Sequence, residues 1–139
     1  MRTLIITALL AGASLALAQE RTPAPPGAEL YIISPKDGAQ VHSPLLVQFG
    51  LKGMGIAPAG VKFDNTGHHH LLIDTDPPAD LNAPVPANDK NVHFGKGQTE
   101  TTLNLPPGKH TLQLLFADLN HIPLSPPLLS KKITITVLP

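Results

Sequence analysis

Three observations predict an all-β fold: an immunoglobulin-like antiparallel β-sandwich of six to seven strands. Short runs with apolar residues at every second position recur along the chain. No stretch after the first eighteen residues carries a helical period. Proline- and glycine-containing turns separate the runs at the spacing of a sandwich. The 16 prolines and 11 glycines break helices and punctuate short strands.

Residues 1–18 read as a signal peptide. Arg2 supplies the positive start, Leu4 to Leu17 the apolar run, and Ala16-Leu17-Ala18 a small-x-small cleavage site. The run is short and rich in small residues for a membrane span, and an uncleaved anchor is the alternative. Residues 19–28 form a proline-rich linker, expected to stay extended. Residues 29–139 form the sandwich domain, long enough for one core. The expected location is therefore periplasmic or secreted, with no membrane attachment after cleavage.

Each strand has its own signal. The first is 30–34, ended by Pro35-Lys36-Asp37-Gly38, with Val41 pairing briefly after it. The second, 45–51, alternates Leu45, Val47, Phe49 and Leu51 against Leu46, Gln48 and Gly50. A long glycine-rich connection follows, then a third strand over 68–75, stopped by Asp76-Pro77-Pro78. Val92-His93-Phe94 is a short edge strand. Residues 99–105 and 110–117 make a hairpin around Pro106-Pro107-Gly108. Residues 118–127, with three prolines, read as a loop, and 132–137 as the last strand. Val47, Phe49, Leu103, Leu112, Leu114, Phe116, Ile133 and Ile135 are expected inside.

The chemistry concentrates in Asn65-Thr66-Gly67-His68-His69-His70-Leu71-Leu72-Ile73-Asp74. Antiparallel Greek-key topology sends His68, His69, His70, His93 and His121 to one end of the sandwich, and His42 and His110 to the other. Residues two apart on a strand share a face, so His68 and His70 are placed to grip one ion together. Leu71 and Ile73 would turn His69 inward and leave His68, His70, Leu72 and Asp74 outward. All five histidines of that end are metal-ligand candidates, two of the three consecutive ones acting with His93 or His121. Met54, Glu100 and Asp118 are candidates for an additional ligand or for a hydrogen bond to a ligand's other nitrogen. The bland alternative makes these histidines polar surface plus one hydrogen-bonded core imidazole. His110, just after the proline-glycine corner, reads as structural.

Imidazole without thiolate suits copper(II), zinc or nickel. The chain has no cysteine, which removes disulfides, lipid anchoring and a blue-copper centre together. Formal charges cancel, and without a basic run there is no electrostatic footprint for nucleic acid. The serines lie in proline turns without an acyl-transfer motif, and Gly95-Lys96-Gly97 reads as a hairpin turn rather than a phosphate loop.

Segments 53–60, 65–74 (NTGHHHLLID), 93–100 (HFGKGQTE) and 107–114 resemble a family of small exported bacterial proteins catalogued as a domain of unknown function. The resemblance implies an exported bacterial domain and carries no activity, substrate or ligand. The leading functional expectation is a periplasmic copper- or zinc-binding carrier, buffer or accessory protein, not an enzyme. The alternative is a non-catalytic envelope module that contacts a protein partner and whose histidines are structural. A metal-dependent hydrolase or oxidase ranks third, because only Glu100 and Asp118 are available near the cluster as a general base.

Overall fold

The computed structural model describes residues 20–139; the signal-peptide reading falls on residues outside that range. The described chain is a two-sheet β-sandwich without helix. Its ten strands are β1 Glu29–Ser34, β2 Gln40–Val41, β3 Leu45–Lys52, β4 Gly55–Ile56, β5 Thr66–Ile73, β6 Asn91–His93, β7 Glu100–Leu103, β8 Gly108–Ala117, β9 Pro123–Leu129 and β10 Ile133–Val137. The smaller sheet has the order β1-β3-β7, all antiparallel. The larger runs β2-β10-β8-β5-β4, with β6 paired to β5 and β9 to β8.

Period-two strands bury one face. On β3, Leu45, Val47 and Phe49 are buried and Leu46 is exposed. On β10, Ile133, Ile135 and Val137 are buried between threonines. These side chains meet Leu71, Ile73, Leu112, Leu114 and Phe116 of the larger sheet in one core. All eight residues expected inside lie in it.

β5 breaks the half-buried pattern, being buried continuously from Gly67 to Ile73. A strand buried on both faces needs a cover on each. The smaller sheet covers one face. On the other, Leu72 packs with Val85, Leu115, Ala117 and Leu129, so the β5–β6 connection, through Val85, roofs a face that β9 widens at the edge of β8. The backbone N–H of Val85 donates to the carbonyl of His121 across this roof, 2.9 Å. The expectation that His68, His70 and Leu72 face outward is therefore corrected: they point away from the main core into a second buried layer.

One strand of the larger sheet was hidden by proline. Residues 123–129 form β9, not a loop. β9 pairs with β8 at Leu115↔Leu129, Phe116↔Leu128 and Ala117↔Pro123, and the register shifts between the last two. Pro126 and Pro127 fall within that shift, where the ladder asks no N–H of them. The segment read as an extended linker also pairs. Ala24 donates to Ser125 O and Ser125 to Thr22 O, both at 2.9 Å, and the Arg21 guanidinium donates to Leu124 O.

At the opposite end, His110 holds the corner. Its Nδ1 lies 2.7 Å from Asp74 Oδ2 and its Nε2 2.8 Å from the carbonyl oxygen of Pro106. Both partners are acceptors, so the imidazolium with two N–H groups fits this position best. The Asp74 hydrogen bond accordingly raises the His110 pKa, against an opposing effect of burial. Asp74 also accepts from Thr111 N, 2.8 Å, which ties the end of β5 to the start of β8.

The core makes a direct prediction. Leu114 is fully buried at the centre of β8. Leu114→Ala should cost about 2–5 kcal/mol, the range for deleting buried methyl groups. Urea denaturation at pH 7.5 would check it; a loss under about 1 kcal/mol would show that the site collapses or is not core.

Candidate metal centre

The pleat of β5 divides three consecutive histidines. Alternate residues project from opposite faces, so His68 and His70 go one way and His69 the other. His69 enters the main core, with its ring 5.1 Å from those of Phe49 and Phe116. Neither of its nitrogens has a hydrogen-bond partner. Its place in the expected ligand set is corrected for that reason: it lies across the sheet from the other histidines.

Two further histidines join His68 and His70. β6 pairs antiparallel with β5 and sets His93 directly opposite His70, which puts both on the same face. His68 is paired with Ala117 at the end of β8, just before the turn that carries His121. In that turn His121 N donates to Asp118 O, and Asp118 Oδ1 accepts from the N–H groups of Asn120 and Ile122. His121 itself has φ 65°, a left-handed conformation rare outside glycine. The carboxylate of Asp118 thus shapes the turn that aims His121 back over the sheet. Its other oxygen, Oδ2, accepts from Thr22 Oγ1 at 2.7 Å, linking the turn to the N-terminal segment.

The result is a four-imidazole cluster. His68 Nε2 lies 3.1 Å from His121 Nδ1 and 3.2 Å from His70 Nε2. One ligand atom from each of His68, His70, His93 and His121 lies within 4.8 Å of all the others. Nitrogens bound to one ion at 2.0–2.1 Å in a tetrahedron stand about 3.4 Å apart, so the cluster is close to metal-holding geometry. His68 and His70 are fully buried, and His93 and His121 are partly exposed.

Two glycines make room. A Cβ on Gly95 would come within 2.3 Å of the His93 ring, so the absence of a side chain there lets that imidazole fold inward. A Cβ on Gly67 would meet the Ala117 carbonyl at 2.3 Å and the Phe116 ring at 2.7 Å, so Gly67 lets β5 start close against β8. Both lie in the histidine motifs, and the spacing His93-Phe94-Gly95 was the available signal for the first.

Burial and neighbour repulsion keep His68, His70 and His93 from taking up protons. Burial is the largest cause holding His68 at about 4, followed by repulsion from His121 and His93 and opposed by Asp118. Burial and the same neighbour repulsion take His70 to about 3. His93 is lowered by burial and by His121. In the core, burial takes His69 to about 4, opposed by the nearby Gln98 backbone. At neutral pH these rings are uncharged, the state in which imidazole offers a lone pair to a metal.

The remaining candidates lie elsewhere. Met54 packs partly buried against the main core and is not among the clustered ligands. Glu100 is exposed on β7 in the smaller sheet, where it accepts from Gln48 Nε2. Asp118 is buried and spends its oxygens on the turn and Thr22, which places it beside the cluster but outside the ligand set. The topological argument placed these carboxylates at the correct end without resolving the sheet each belongs to.

The depressed imidazoles predict acid sensitivity. In the unfolded chain they protonate near 6.5. The folded chain keeps His68 and His69 neutral to about 4 and His70 to about 3. Between these values the unfolded state binds more protons, so stability is full above about pH 6.5 and falls as pH drops toward 4. Each shift of this size corresponds to roughly 3 kcal/mol. Urea midpoints of the metal-free protein at pH 7.5 and pH 5 should differ clearly; equal midpoints would contradict the burial.

Comparison with known proteins gives a family without an activity. No curated protein and no solved structure matches the chain. A family model described as "Domain of unknown function (DUF4399)" matches residues 47–138, a span that contains all four clustered histidines and both glycines beside them. By that match, which covers most of the chain, the protein belongs to the DUF4399 family.

Proposed function

We propose that this protein binds a transition-metal ion, copper or zinc, through His68, His70, His93 and His121, and serves as an exported carrier, buffer or accessory protein in the bacterial periplasm. The observation that carries the reading is the convergence of four imidazole nitrogens from three separate chain segments within 4.8 Å. Buried nitrogens at 3.1–3.2 Å must have a proton or a metal between them, and His68 Nδ1, His70 Nδ1 and His93 Nε2 have no hydrogen-bond partner. The export part of the proposal rests on the Arg2 to Ala18 leader. Binding is favoured over catalysis because the carboxylate beside the cluster is engaged in shaping a turn.

An interaction role finds support in a different feature. Val61 and Phe63 are exposed large apolar residues in the β4–β5 connection, Phe63 at 73 %. They border a cavity of about 370 Å³ that Thr22, Asp118 and Leu119 also line. A protein partner seated there would contact the turn that carries His121.

Titration calorimetry with zinc and copper separates the two roles. The wild type should bind one ion, with affinity weakening as pH falls through roughly 6.5. The His68→Ala/His70→Ala double variant should lose that binding. Gly95→Ala, which crowds the His93 ring, should weaken it, and His69→Leu should leave it unchanged. Equal binding by wild type and double variant, or none by either, would leave only the interaction role.

A further inference from the structure

The arrangement of the four rings says which kind of ion the site takes. Four ligands around one ion lie at the corners of either a square or a tetrahedron. A square has two diagonals about 1.4 times its sides, whereas a regular tetrahedron has six equal separations. The six separations between ring centroids are 5.0 Å for His68–His70, His68–His93, His68–His121 and His70–His93, 4.7 Å for His93–His121 and 6.1 Å for His70–His121. Only one is long. The pair opposite it, His68–His93, is as short as the sides. A flat set with these sides and that short diagonal would put His70 and His121 about 8.5 Å apart, against the observed 6.1 Å. The rings therefore surround their centre as a slightly opened tetrahedron. The His121 plane is turned by 82°, 89° and 73° from those of His68, His70 and His93, as a ring approaching from outside the sheet would be.

The two inner ligands cannot rearrange easily. His68 and His70 are fixed by strand parity and buried under the roof, and His93 is fixed by register opposite His70. A tetragonal ion would have to pull the fourth ligand, on the turn, into the plane of the other three. That turn is held by Asp118 through Asn120 N, Ile122 N and Thr22 Oγ1.

We infer that the four-histidine site is built for a closed-shell ion that accepts a tetrahedron, zinc(II) or copper(I), and disfavours copper(II) and nickel(II), which want tetragonal coordination. Four neutral imidazoles add no charge, so the chemistry the two ions share is their filled d shell and tolerance of nitrogen ligands. This inference rests on the metal-binding reading above and specifies the ion.

Cobalt(II) is the probe, because its visible absorption is intense in a tetrahedron and weak in an octahedron. The full chain, metal-free at pH 7.5, should develop intense bands with one equivalent of cobalt(II), and one equivalent of zinc(II) should abolish them. In an anaerobic arm, copper(I) should displace the cobalt as zinc does if copper is the natural cargo; displacement by zinc alone assigns the site to zinc. His121→Ala changes a partly exposed turn residue and so spares the core. It leaves three imidazoles and a position open to water, so it should shift the cobalt bands and cost more than the roughly 10–100-fold lost with an outer hydrogen-bond partner. Weak octahedral-type absorption, or a copper(II) complex with the paramagnetic signature of a square plane, would overturn the tetrahedral inference while leaving metal binding intact. No binding of any of these ions would overturn both.

Discussion

The alternation of a β-strand is the constraint on which this site depends. Three histidines in a row cannot share a face of β5, so the pleat sends His69 into the core and leaves His68 and His70 together on the other side. The antiparallel register of β6 then brings His93 opposite His70, and the β8–β9 turn returns His121 over His68. The first two steps are backbone relations settled by hydrogen-bond ladders, and the last is set by a turn that the Asp118 carboxylate holds. A one-residue slip of β5 would exchange the two faces and scatter the cluster, while placing two imidazoles in the apolar core. The same core packing that stabilises the sandwich therefore fixes the ligand geometry.

Burial gives the cluster its chemical character. An exposed histidine group would be partly protonated below neutrality and would repel itself. Val85 of the β5–β6 connection packs over Leu72, Leu115 and Ala117 and closes that face of the sheet. His68 and His70 stay neutral there, at about 4 and about 3. His110 shows the opposite case on the same strand pair. There the partners are a carboxylate and a carbonyl, and the imidazolium is favoured. Burial, reinforced by neighbouring imidazoles, keeps the clustered histidines unprotonated, and a carboxylate partner reverses the outcome at His110.

Much of this was legible in the sequence. Period-two runs located β1, β3, β5, β7, β8 and β10 to within two residues, and the apolar positions named the core. The topology sent His68, His70, His93 and His121 to one end because strand directions alternate whatever the detail of the loops. Neither β9 nor the roof was legible. Pro123, Pro126 and Pro127 suppressed the strand signal of β9, since a register shift that tolerates prolines leaves no periodic trace. The cover over the outer face of β5 comes from Val85 in a loop with no periodic pattern, so that face was read as solvent-facing. Thr22 carried no visible role because it acts through a long-range contact to Asp118, and Gly95, which acts by leaving space, was marked only by its place beside His93. Glu100 and Met54 sit at the expected end but in the other sheet or the core, a distinction that strand direction alone does not make.

One ion should be held by these four imidazoles and by no oxygen ligand. X-ray absorption at the zinc edge of the zinc-loaded protein tests it most directly, because the outer-shell scattering of imidazole rings counts the histidines around the metal. The account predicts a single shell of four nitrogens at about 2.0–2.1 Å with scattering from four rings. A five- or six-coordinate shell, or one with two or fewer imidazoles and the balance in oxygen, would contradict it.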